Sequence, residues 1–127
     1  MTIAFWCVLI AGILPYVMTG YAKSQAGKRY DNNAPRVFLD HIEGKAQRAH
    51  WAQLNAFEAF PLFAAGVVVA HMAGASPHTS DVLAMVFIAS RLAYNYCYIS
   101  DRASLRTLVW TLGFLSVVGQ FVAAAMA

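Results

Sequence analysis

Long apolar runs separated by short polar intervals organise this chain. No charged residue occurs from Met1 to Ala22, and charges then cluster between Lys23 and Arg48. From Ala49 to Ser80 the only charge is Glu58, from Val82 to Ser100 it is Arg91, and none follows Arg106. A membrane span needs about 20 predominantly apolar residues. The pattern therefore predicts four spans, at roughly 2–22, 48–74, 80–100 and 104–126. A long loop (23–47) and two short ones (near 75–79 and 101–103) would join them. The runs do not alternate as barrel strands do, and a helix satisfies its own backbone in lipid. The expected fold is all-α: one membrane domain over residues 1–127 built as a four-helix bundle. Pro15 and Pro61 interrupt spans one and two, which neighbouring helices can accommodate. Gly66, Gly113 and Gly119 would let helices approach closely.

Composition narrows the class. The chain is 60% hydrophobic and 12% charged, with mean hydropathy +0.53. A soluble domain averages about 25% charged residues, and a small one leaves much of its surface in water. Disorder goes with low hydrophobicity and high net charge. Both classes are excluded, which leaves an integral membrane protein. No basic residue precedes the first apolar run, which is longer than a signal-peptide core, so it reads as a retained span. Cys7 and Cys97 both fall inside spans, and no Cys/His cluster suggests a metal.

Charge sets orientation. Lys23, Lys28, Arg29, Arg36, Lys45 and Arg48 belong to the first loop or its edge, and Arg102 and Arg106 to the third. Eight of the nine basic residues would thus lie on one face. The positive-inside rule makes that face cytoplasmic, with both termini outside. The net charge of +3 needs no nucleic-acid partner.

Two charges remain at membrane depth, where they are costly and face a bundle interior or a cavity. Glu58 lies ten residues past Arg48, and Arg91 ten residues past Asp81. At about 1.5 Å per residue, each is about 15 Å deep. A hairpin turning about Gly74 and Ala75 would put Glu58 level with Arg91, Asn55 with Tyr94, and Trp51 with Tyr98. An ion pair between Glu58 and Arg91 is expected, because pairing offsets desolvation. Helical phase places Arg48, Trp51, Asn55, Glu58 and Leu62 in one sector of span two. Arg91, Tyr94, Tyr98, Arg102 and Leu105 share one in span three. Such residues could simply pin helices together. A continuous strip opening toward basic loops suits an anionic, zwitterionic ligand better: arginines for carboxylates, Glu58 for an amine, tyrosine hydroxyls for a thiolate or carbonyl. His50, His71 and His78 read as interfacial. Trp6, Trp51 and Trp110 read as belt or packing residues.

The run from Arg48 to Phe63 resembles the signature of the MAPEG family, membrane-associated proteins in eicosanoid and glutathione metabolism. Arg48-Ala49, Asn55, Glu58, Pro61 and Phe63 match its second-helix motif, and Arg91, Tyr94 and Tyr98 its third-helix motif. The segment Asp31-Asn32-Asn33-Ala34-Pro35-Arg36 looks like bacterial members, which implies a bacterial inner membrane. The resemblance implies a homotrimer of four-helix protomers that binds glutathione between neighbours near the cytoplasmic face. It implies glutathione contacts at Asn55, Glu58, Tyr94 and Tyr98, with Arg48 and Arg91 as further binding candidates. Arg106, or else Arg102, would stabilise the thiolate. The implied activity is glutathione transfer, or peroxidase chemistry, on hydrophobic electrophiles dissolved in membrane lipid. Many catalytic relatives carry an arginine four residues before the motif asparagine, where this chain has Trp51. That departure favours the alternative, a non-catalytic lipid-binding or scaffold protein. A small transporter ranks last, since no inverted repeat is evident.

Overall fold

A computed structural model of the protein describes residues 1–127 except the Lys28 side chain, so that basic position lies outside the described residues. Helix α1 (Ile3–Ala26) leads into a single 3-10 turn (Gly27–Arg29) and a short helix α2 (Pro35–Asp40). Three long helices follow: α3 (Gly44–Met72), α4 (Pro77–Ile99) and α5 (Ala103–Ala125). The four long helices are all apolar enough to cross a membrane. Helix α3 begins four residues before the predicted span, and α1 runs four beyond its own, because backbone hydrogen bonding continues past the end of the apolar stretch. The first loop also holds α2, started by Pro35, whose fixed φ suits the first helical position.

Chemistry at the ends stops and joins the helices. The Thr2 hydroxyl accepts from the Phe5 amide at 3.4 Å and caps α1. The Asp81 carboxylate accepts from the Ala4 amide at 2.7 Å. That places an anion on the positive end of α1 and ties it to the start of α4. Helix α3 closes on Gly74 in the left-handed region (φ 81°). There Ala75 donates to the Ala70 carbonyl at 2.9 Å and Gly74 to the His71 carbonyl at 3.1 Å. This is a Schellman closure, and it puts the hairpin turn where the sequence predicts it. Helix α4 closes the same way on Asp101 (φ 60°), with Arg102 donating to the Cys97 carbonyl at 2.8 Å.

Helix α1 packs against α3, and α5 against α4, while α3 and α4 lie together in the middle. Two apolar clusters fill the bundle. One joins Cys7 and Ala11 to Phe63, Val67, Phe87 and Val117, and its Phe63 and Phe87 rings stack at 3.9 Å. The other, toward the basic end, joins Met18, Ala22, Ala49, Ala52 and Tyr94 and is roofed by Leu39 of α2. Small residues dominate the interior and large apolar ones face out. Ala22, Ala49 and Ala84 are fully buried, whereas Leu108 is 65% and Leu115 58% exposed. That inversion suits lipid, where close backbone approach drives helix association. Gly113 shows it directly: a methyl group there would overlap the Ser90 hydroxyl across the contact between α4 and α5.

Candidate functional site

The polar strip converges where α3, α4 and α5 meet toward the basic end. A surface groove of about 420 Å³ is lined by Trp51, Leu54, Asn55 and Glu58 of α3 and by Tyr94 and Tyr98 of α4. Its size lies within the usual range of small-molecule sites, about 300–1,000 Å³. The Tyr94 and Tyr98 rings meet edge to face at 5.5 Å, and Trp51 tilts against Tyr98 at 6.3 Å. Trp51 thus stands level with Tyr98, as the hairpin register predicts.

Arg91 departs from expectation. Its guanidinium is buried (4% exposed) and donates from Nη2 to Asn55 Oδ1 at 2.8 Å. It also lies 4.3 Å from the centre of the Tyr94 ring. Glu58 is not within ion-pair distance, so the expected Glu58 and Arg91 pair is corrected to Asn55 and Arg91. Among the described residues the only contact of ion-pair length between side chains is His50 Nε2 with Asp40 Oδ1, at 3.4 Å. Helix phase supplies the reason. Glu58 is three residues beyond Asn55, so it sits about 60° farther round α3. That rotation turns Asn55 half into the helix contact and leaves Glu58 on the exposed side.

The arginines take distinct places. Arg106, half-buried on the first turns of α5, lays its guanidinium 4.3 Å above the Tyr98 ring. It therefore stands against a groove residue. Arg102 is the exposed N-cap of α5. Arg48 donates from Nε to the Ile99 carbonyl at 3.0 Å, which ties α3 to the closing turn of α4. Neither Arg48 nor Arg102 lines the groove.

Other residues depart from the sequence reading or were not singled out by it. His50 is not interfacial but buried, held by Asp40 and, at 3.1 Å, by Gln53, so it anchors α2 to α3. Gln120 is fully buried near the opposite end. It accepts from the Ser80 hydroxyl at 2.8 Å and donates to the Ser80 carbonyl at 2.9 Å. Asn95 is also buried, and its Oδ1 meets no donor in this chain. A lone amide in an apolar run is the signal that could have found both. Among the described residues no cluster of three His, Cys, Asp or Glu could hold a metal.

A second cavity of about 200 Å³ opens beyond the groove, between α3, α4 and α5. Asn55 and Glu58 line both spaces. The family model for MAPEG matches residues 3–126, nearly the whole chain. The chain belongs to the MAPEG family. No curated protein matches it. Membership makes this MAPEG protein an integral membrane protein with a four-helix bundle, and sets it within glutathione- and eicosanoid-related function at the level of the family. The family generally uses glutathione.

Proposed function

We propose that this MAPEG protein is a membrane-bound glutathione transferase with peroxidase capacity, acting on hydrophobic electrophiles. The observation that carries the reading is the groove: Asn55, Glu58, Tyr94 and Tyr98 line one space, with the Arg106 guanidinium stacked over Tyr98. Glu58 holds the ligand's ammonium group, and the tyrosine hydroxyls and Asn55 orient its peptide backbone. Arg106 faces the thiol. A guanidinium favours the thiolate and lowers the thiol pKa. The thiolate sulfur then forms a bond to an electrophilic carbon as the leaving group departs with its electron pair. Arg91 supports the site through Asn55, while Arg48 and Arg102 supply positive charge at its mouth.

The homotrimer belongs to the same proposal. Glu58 is exposed on a single protomer, at a depth where an uncovered carboxylate is costly. A neighbouring copy over the groove would shield it and complete the glutathione site. The basic end then faces the cytoplasm of a bacterial cell, by the positive-inside rule.

The test uses purified protein in detergent. Conjugation of glutathione to 1-chloro-2,4-dinitrobenzene above the blank is expected, and Arg106→Ala should lower kcat more than it raises the glutathione Kd. Blank-level activity from intact trimer would overturn the reading. A second reading, lipid binding without catalysis, rests on Trp51, which is 43% exposed on the groove where many catalytic relatives carry arginine. Absence of glutathione binding by calorimetry would favour it.

A further inference from the structure

We propose that the cavity where the end of α1, α2 and the start of α3 meet binds the head group of an anionic phospholipid, a phosphodiester that carries free hydroxyls. The cavity shares no lining residue with the groove, so the proposal does not depend on the transferase reading.

The walls define the ligand's chemistry. The cavity holds about 650 Å³, within the range of about 300–1,000 Å³ usual for small-molecule sites. Its floor is apolar, formed by Ala26, Phe38, Ile42 and Ala46. Its rim carries Arg29, Lys45 and Glu43, all exposed, and among the described residues none of the three has an ion-pair partner. Two cations and one carboxylate leave a net charge of +1, which matches the single charge of a phosphodiester. A guanidinium takes two phosphate oxygens at once, and an ammonium binds phosphate as a point charge. His41 also lines the rim. Its Nδ1 lies 2.7 Å from the Val37 carbonyl, which can only accept, so Nδ1 donates and the neutral ring keeps Nε2 as an acceptor. His41 and Glu43 thus accept from hydroxyls beside the cations that hold the phosphate.

The rim is built before a ligand arrives. Asp40 and Gln53 hold His50, which fixes α2 on α3. The Phe38 ring meets Tyr30 edge to face at 5.4 Å. A preformed site spends less binding free energy on ordering its own side chains.

Depth assigns the phosphate to a lipid. The uncharged run of α1 ends at Ala22, and Gln25 and Ala26 on the cavity wall lie three and four residues beyond it. The apolar run of α3 starts at Ala49, and Lys45 and Ala46 lie four and three residues before it. At about 1.5 Å per residue, both walls stand about 5–6 Å outside the hydrocarbon. The head-group layer is about 5–7 Å thick on each side of the bilayer. Basic pockets at this level take lipid head groups, and an apolar floor suits the glycerol backbone better than a hydrated free phosphate.

The test is native mass spectrometry of the purified protein released from mixed micelles holding equal amounts of phosphatidylglycerol, phosphatidylethanolamine and phosphatidylcholine. Retention of phosphatidylglycerol at least tenfold above the two zwitterionic lipids is expected; equal retention would overturn the proposal. Arg29→Gln combined with Lys45→Gln should lower that retention at least tenfold. Arg36 lies on the same basic face and does not line the cavity, so Arg36→Gln should leave retention within twofold of the wild type. A loss in Arg36→Gln as large as in Lys45→Gln alone would overturn the proposal, since attraction would then follow the charge of the whole face. These side chains are exposed, and circular dichroism checks that each variant keeps its helices. A large molar excess of glycerophosphoglycerol, the same head group without acyl chains, should not displace the lipid; displacement would overturn the lipid as the source and assign the site to a soluble phosphodiester. Excess glutathione should also leave the lipid bound, and displacement by it would merge this cavity with the glutathione site and overturn the proposal.

Discussion

Replacing Asn55 by alanine should destabilise the bundle more than neutralising Glu58, although Glu58 carries the charge. Arg91 is 4% exposed, and its hydrogen bond to Asn55 Oδ1 spans 2.8 Å. A hydrogen bond to a charged group is worth about 1.5–3 kcal/mol in soluble proteins. Between membrane helices, measured couplings average about 0.6 kcal/mol and reach about 1.7. A buried cation belongs near the upper end, so the coupling between Asn55 and Arg91 should be about 1–2 kcal/mol. Glu58 makes no ion pair with Arg91 and is exposed. Its coupling to Arg91 should be smaller, below the average of about 0.6 kcal/mol between membrane helices.

The assay is a pair of double-mutant cycles. One combines Asn55→Ala with Arg91→Met, the other Glu58→Gln with Arg91→Met. Unfolding is followed by far-UV circular dichroism in mixed micelles of dodecyl maltoside and SDS. In the first cycle the double variant should recover part of the summed loss, because Arg91→Met removes the charge that Asn55→Ala leaves unpaired. Near-additivity is expected in the second. A larger coupling for Glu58 than for Asn55 would refute the assignment of Arg91's partner.

Three further outcomes follow from contacts elsewhere. Gly113→Ala should cost about 1–3 kcal/mol through overpacking against Ser90, and Ser90→Ala should restore much of it in the same micelle assay. Asp101→Gly should stabilise by about 0.5–1 kcal/mol, since a non-glycine residue sits at φ 60° in the turn after α4; a thermal-shift measurement that finds a loss would contradict this. Gln120→Leu should destabilise by about 1–3 kcal/mol by removing both hydrogen bonds to Ser80, and Ser80→Ala added to it should recover part of the loss by chemical denaturation.

The helices were legible because lipid simplifies the code. An apolar run of fixed length can only be a helix or a barrel strand there, and Lys, Arg, Asp and Glu mark its ends. Gly74 also announced its turn, because glycine enters the left-handed region freely. Asp101 performs the same closure without that signal, yet the apolar run alone put the start of α5 at 104, one residue from Ala103; the choice between Arg106 and Arg102 stayed open because the short loop does not align uniquely with the family's motif. The Glu58 and Arg91 pairing failed for a related reason. Equal depth constrains position along the helix axis, but contact also needs matching rotation. The 60° between Asn55 and Glu58 decided which of them Arg91 meets. His50 was misread because its partner, Asp40, sits on α2, inside a segment whose polarity looked like plain loop.

Rotation also explains why one helix can serve two surfaces. Arg91 faces inward and is satisfied by an amide, which leaves the Glu58 carboxylate uncommitted within the protomer. A carboxylate paired to Arg91 would be a structural pin, with little left to offer a ligand's amine. An amide partner keeps the guanidinium in place without consuming the only acidic group at that depth. The arrangement therefore separates two tasks that equal depth along the sequence had merged. Asn55 and Arg91 join α3 to α4, and Glu58 remains free at the lip shared by groove and cavity. If the two cycles instead show Glu58 coupled to Arg91, that separation disappears, and the argument for an ammonium-binding Glu58 loses its structural support with it.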